Sequence, residues 1–173
     1  MSSSNKGFLC KTCGKWHEEL PMDVGCEFPD HYFGVPESER ASRVWCDRAE
    51  NPNFCVIDKR DRFIRGCLII PVTDGPDEFV FGLWTTLSEK NFNRAISLWD
   101  SPVPENEPAY FGWLSNRLEG FPDSLNLKAK LRLRNGNLRP SIELEPTDNP
   151  LSVAQRNGFT MERVLQIVEP LMH

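Results

Sequence analysis

The sequence predicts an α+β fold, a mostly antiparallel sheet with a few short helices, two of them at the C-terminus. Three observations predict it. Runs of alternating or β-branched residues recur between turn signals, an Asn-Gly pair separates two such runs, and a closely spaced cysteine pair opens the chain ahead of them. A chain of 173 residues can bury roughly 70% of its unfolded surface, so its core needs no staples. The 14 prolines and 11 glycines call for many turns and short elements. The expected organisation is a disordered polar tail over residues 1–7, a knuckle segment over 8–35 and an α+β domain over 36–173, the last two folding as one unit.

Taken in order, "PESERASRVW" from Pro36 to Trp45 reads as a short helix, with proline first and acidic residues in the first turn. "NFCVID" and "RFIRGCLIIPV" flank the turn "KRD" and form a hairpin. Asp74-Gly75-Pro76-Asp77 turns the chain into a third strand, "EFVFGLWTTL". Ser88 caps a helix whose Phe92, Ala95, Ile96 and Trp99 fall on one stripe. "SPVPENEP" is the expected internal boundary, and "AYFGWLSNRLEGF" fits a short helix or a loop. Asn135-Gly136 then predicts a tight hairpin that pairs Leu133 with Leu138, Leu131 with Pro140, Ala129 with Ile142 and Leu127 with Leu144. Those pairs share one face; Lys128 opposite Glu143 and Arg132 opposite Arg139 share the other. A two-residue slip would keep these faces, whereas a one-residue slip would expose the leucines. Asn149-Pro150 starts a helix that Gly158 stops, and Thr160 caps a last helix with a Met161, Val164, Leu165, Val168 stripe.

The net charge of −5 argues against a nucleic-acid backbone as the main partner. No run approaches 18 apolar residues and the N-terminus lacks a signal-peptide core, so the expected location is cytoplasmic, with no membrane association and reduced thiols. In "FLCKTCGKWHEELP", Cys10 and Cys13 can present two thiolates to one ion, and Gly14 supplies the positive φ such a turn uses. His17 is near enough to be a third ligand. Structural zinc requires a fourth, for which Cys55, at the start of a strand, is preferred to Cys26, Cys46 or His31. Cys67, inside an apolar strand, reads as core. A redox pair would need a strand ahead of Cys10, and there is none long enough. Two reduced thiols without an ion are the bland alternative.

Other patterns weigh less. Lys128, Lys130, Arg132 and Arg134 line one strand face, either a solvated surface or a strip for an acidic partner or RNA. Ala154, Gly158 and Val164 have helix-turn-helix spacing, but Glu162 and Glu169 would face the phosphates, and two packed helices explain the spacing as well. Arg65 places a cation on the polar side of an apolar strand, where it could anchor a carboxylate. No nucleophile–base set is visible, and His173 reads as a solvated tail histidine.

The blocks "CKTCGKWHEELP", "FCVIDKRDRFIRGCLIIPV", "FGLWTTLSEKNF", "YFGWLSNRL" and "RPSIELEPTDNPLSVAQRNG" together resemble a bacterial family of unknown function, number 2199 in the domain-of-unknown-function series, over residues 8–173. The resemblance implies a small bacterial cytosolic protein in which the N-terminal Cys-x-x-Cys-Gly…His segment and Cys55 match motif positions, and it implies no activity. The functional expectation is a non-enzymatic module stabilised by structural zinc on Cys10, Cys13, His17 and Cys55, acting as a protein-binding adaptor or immunity-type protein. The alternatives are a zinc enzyme with an open coordination position, for which Glu18 and Glu19 would shuttle protons, and a nucleic-acid-binding protein. The oligomeric state is left open.

Overall fold

A computed structural model of the chain describes residues 8–10, 13–17, 20–75 and 77–172. The expected tail over residues 1–7, with Glu18, Glu19 and His173, lies outside the described residues. Strands β1 (Phe8–Leu9) and β2 (Trp16–His17) form a separate antiparallel ribbon. After β3 (Asp23–Gly25) come the one-turn helix α1 (Asp30–Phe33), a 3-10 turn at Glu37–Glu39, α2 (Arg40–Arg43) and β4 (Val44–Cys46). The predicted helix over 36–45 therefore stops at Arg43. There the chain enters the sheet, as the Asp58 amide donates to the Arg43 carbonyl at 2.8 Å and the Arg43 guanidinium grips the Asp58 carboxylate at 2.8 and 3.0 Å.

The predicted hairpin is present as β5 (Phe54–Ile57) and β6 (Asp61–Pro71), with Asp58 and Lys59 at positive φ in its turn. Then follow β7 (Glu78–Leu87), α3 (Glu89–Leu98), β8 (Tyr110–Trp113), β9 (Lys128–Arg132), β10 (Ser141–Leu144), α4 (Pro150–Asn157) and α5 (Met161–Val168). The caps are those expected: Ser88, Asn149 and Thr160 accept from the amides of Asn91, Leu151 and Arg163. "AYFGWL" is neither helix nor loop but begins with β8. Its inward Tyr110 and Gly112 alternate with outward Phe111 and Trp113, and a Cβ on Gly112 would strike the Thr86 carbonyl.

The main sheet runs β3-β7-β6-β10-β9-β8, with β4 and β5 attached beside β6. It is mixed: β3 is parallel to β7 and β10 to β6, and the other pairs are antiparallel. β6 changes partner along one edge. The Arg65 amide donates to the Asn53 carbonyl ahead of β5, and the Cys67 amide to the Pro140 carbonyl ahead of β10. Gly66 stands between them because a Cβ there would meet Pro140 O at 2.9 Å. An isolated bridge between Thr85 and Leu114 brings the end of β8 back to β7, so the sheet curls. Its inner face, with Ile64, Leu68, Ile70, Phe79, Phe81 and Leu131, packs against Phe92 of α3, Leu151 of α4 and Val164 of α5 to make the main core. A smaller cluster of Val35, Cys55, Ile57, Phe63 and Trp84 covers part of the outer face.

One register differs from expectation. β10 pairs β9 as Ile142 with Leu131 and Leu144 with Ala129, and Glu143 lies opposite Lys130. This is the two-residue slip that keeps the faces. The positive-φ residues are Gly136 and Asn137, not Asn135 and Gly136, so the turn is centred one residue later. Asn135 is otherwise engaged, its side-chain oxygen accepting from the Val103 amide at 2.7 Å. Arg139 does not face Arg132 but reaches to Asn53 Oδ1 at 2.9 Å.

Two predictions follow from these contacts. Gly158 has φ 86°, and a Cβ would sit 2.6 Å from the Pro71 carbonyl oxygen, to which the Phe159 amide donates. Gly158→Ala should cost about 1–3 kcal/mol, read as a lower denaturant midpoint at unchanged slope. Glu107 accepts from Arg94 at 3.0 Å through both oxygens and from the Tyr110 hydroxyl, which ties the 99–109 connection to α3 and β8. Arg94 first, and Tyr110 next, hold its carboxyl below the usual range. A depressed carboxylate pKa adds stability that is complete above the unfolded value and lost as pH falls through the folded one. The advantage of the wild type over Glu107→Gln should thus be constant above about pH 5.5 and vanish on acidification through and below about pH 4, as measured by urea melts.

Candidate metal centre

The ribbon is built by its own turn. The Cys10 amide donates to Lys15 O at 2.9 Å, the Gly14 amide to Cys10 O at 2.8 Å, and Gly14 takes φ 69°, the positive value its residue type predicts. This brings Cys10 and Cys13 together with His17 of β2. Their ligand atoms all lie within 4.8 Å of one another, the one such group of three among the described residues. Cys13 Sγ and His17 Nε2 are 3.3 Å apart. Cys10 is fully buried, and Cys13 and His17 are half-buried at the rim. Two soft sulfurs and an imidazole are a zinc donor set, and in tetrahedral zinc the bond lengths put neighbouring donors roughly 3.4–3.8 Å apart. The residues present fit such an ion with small side-chain rotations.

Cys55 is not brought into this group. It lies in β5, fully buried under Val35, Phe63 and Trp84, and its cross-strand partner is Cys46 of β4. The hydrogen bond between these two thiols holds the proton on Cys55, with burial adding to the effect, and lowers Cys46. Cys26 follows β3, where its carbonyl accepts from Trp84 Nε1 at 3.0 Å; burial, then Asp30, pushes its thiol up against the opposing charge of Arg65. His31 is exposed on α1, its ring 5.2 Å from that of Phe63. Cys67 belongs not to the main core but to the outer face, half-buried beside Arg65.

The loop over 26–35 is lashed to the sheet by Asn116, 1% exposed. Its Oδ1 accepts from the Trp84 amide at 2.8 Å, and its Nδ2 donates to Phe28 O at 3.0 Å and to Asp30 Oδ1 at 3.2 Å. Sequence reading missed this residue, because nothing marks an asparagine in "LSNRL" as a buried hub. On the outer face of β8 and β9, Phe111 and Trp113 meet edge-on at 5.2 Å, Lys128 lies over Trp113, and Arg132 stands 3.9 Å from Glu143. The basic strip is thus interleaved with acids. The helix-turn-helix spacing serves packing, since Ala154 and Val164 are core residues and Gly158 abuts β6.

A family model described as an uncharacterized protein conserved in bacteria (DUF2199) matches residues 9–159. The chain belongs to that family. Its match takes in Cys10, Cys13 and His17, the whole main sheet and α4, and ends before α5. No curated protein and no solved structure matches. Among the described residues of this DUF2199 member, no helix is long and apolar enough to cross a membrane.

The Cys46–Cys55 contact yields a prediction. The bonds from Asp47 N to Phe54 O and from Asp58 N to Arg43 O make Cys46 and Cys55 a non-hydrogen-bonded cross-strand pair. Such pairs have Cα atoms about 4.5 Å apart, within disulfide reach. Glutathione disulfide should oxidise the two thiols to one disulfide, with release of two reduced glutathiones. Peptide mapping should find that link, and Cys46→Ser should abolish it.

Proposed function

We propose that the protein is a non-enzymatic, zinc-stabilised protein-binding module of the adaptor or immunity type. Zinc on Cys10, Cys13 and His17 fixes the ribbon as a recognition element. The observation that carries this reading is the ribbon's surface. Leu9 and Trp16 are cross-strand partners, 61% and 59% exposed, so a two-stranded ribbon too short to fold alone displays an apolar pair to solvent. Cys10, Cys13 and His17 would hold an ion that supplies rigidity to the ribbon beyond its own hydrogen bonds. When bound, zinc contributes architecture; the chain's own residues contribute the contact surface. The partner is a protein with an apolar pocket for Trp16 and Leu9 and a basic surround that complements the net charge of −5.

A zinc enzyme with an open position is the second reading, favoured by the count of three donors in the group. X-ray absorption on the zinc protein separates the two. Four protein donors fit the structural reading, whereas a water ligand supports the enzyme. Cys55 is engaged with Cys46 in this proposal and does not complete the site.

Metal analysis of protein purified without added zinc should find one zinc per chain. Cys10→Ser and Cys13→Ser should lose it, and Cys55→Ser should keep it. A photo-crosslinker in place of Trp16 should trap one protein in cells, and Cys13→Ser should abolish the adduct. Protein free of zinc, or an adduct indifferent to Cys13→Ser, would overturn the reading.

A further inference from the structure

We propose that the outer face of the sheet carries a binding site for a small oxyanion, a phosphate or carboxylate group, centred on Arg65. The site is separate from the ribbon and does not depend on zinc. Arg65 leaves β6 on the face opposite the main core, next to Trp84 of β7 in register. It is 7% exposed, and its Nε and Nη1 are buried with no hydrogen-bond partner. Those two atoms carry three N–H donors on a group that stays charged at any physiological pH. Among the described residues, no carboxylate lies within ion-pair distance of it. Instead a second guanidinium, that of Arg139, acts on it as a like charge. Burial and then Arg139 disfavour the charge of Arg65, and Cys26, Cys67 and Glu27 offset them only in part.

The chain makes room for this arrangement. A Cβ on Gly25 of β3 would lie 2.5 Å from Arg65 Nη2. One on Gly82 of β7 would lie 3.5 Å from Nη2 and 3.6 Å from Nε. Two neighbouring strands thus give up side chains, in register with each other, for one guanidinium to lie across them. Arg139 is also held in place, donating from Nε to Asn53 Oδ1 at 2.9 Å and from Nη2 to Asn51 O at 3.4 Å, and Asn53 is in turn fixed by Asp47. Both arginines sit where β6 changes partner and β5 and β10 run apart. A buried cation with unmade hydrogen bonds is destabilising unless something completes it. An oxyanion does so: it accepts the free N–H groups of Arg65 and relieves the repulsion from Arg139.

The test follows the arginine Nε–Hε resonances of the nitrogen-15-labelled protein during titration with inorganic phosphate and, separately, acetate, each against chloride at equal ionic strength. Saturable movement of the Arg65 signal is expected, with Arg139 moving alongside. Whichever anion acts at lower concentration identifies the group. Arg65→Met should abolish the response, and Arg139→Gln, at a half-buried position, should weaken binding by about tenfold or more. If Arg65→Met does not fold, the Arg65 resonance and Arg139→Gln decide. Movement no larger than with chloride, or a response unchanged in Arg139→Gln, overturns the proposal.

Discussion

The structure is organised by the edge of β6. That strand is eleven residues long and pairs with β7 along one side from Arg62 to Pro71, while its other side is shared between β5 and β10. No side chain is tolerated at the changeover, because Pro140 O and the Ile142 side chain occupy the space over Gly66. An antiparallel and a parallel neighbour both start there and run in opposite directions. The alternation of β6 then determines both faces: Ile64, Leu68 and Ile70 turn inward to the helices, and Phe63, Arg65 and Cys67 turn outward. One change of partner thus creates the main core, the small outer cluster and the position where two arginines converge.

The ribbon follows a different logic. The main sheet is closed by hydrophobic burial and by long-range ties such as Asn116 to Trp84 and Gln155, whose side chain meets both Leu144 N at 2.8 Å and Ile142 O at 2.7 Å. Residues 8–17 have two short strands, an exposed apolar pair and three convergent donor atoms. The three donors form a group that could hold a metal ion.

Much of this was legible in the sequence. The strands at 54–57, 61–71 and 78–87, the capped helices and the knuckle trio were readable because each depends on neighbours within a few residues: caps, alternation, a glycine at positive φ. What was not legible depends on distant partners. The turn at 135–137 moved by one residue because Asn135 and Arg139 are claimed by Val103 and Asn53, far away in the chain. β8 was ambiguous because its strand character comes from pairing with β9. Cys55 sits at a strand start, as expected, but which thiol it meets is decided by the fold-back of β4, which no local pattern announces.

Two places stand apart from the rest of the described residues. Among the described residues most buried side-chain polar groups are paired, often twice, as with Asn116, Ser124 and Ser152, and Thr85 Oγ1 is a single-atom exception. At Arg65, Nε and Nη1 have no partner, and at the ribbon two thiols and an imidazole lie within 4.8 Å of one another. Local violations that a fold tolerates mark where it meets something outside itself. The two violations also differ in sign. The ribbon gathers electron-pair donors and suits a cation; the outer face gathers guanidinium protons and suits an anion. A single ligand chemistry cannot satisfy both, so the ribbon and the arginine site are separate features, one on the two-stranded ribbon and one on the main sheet.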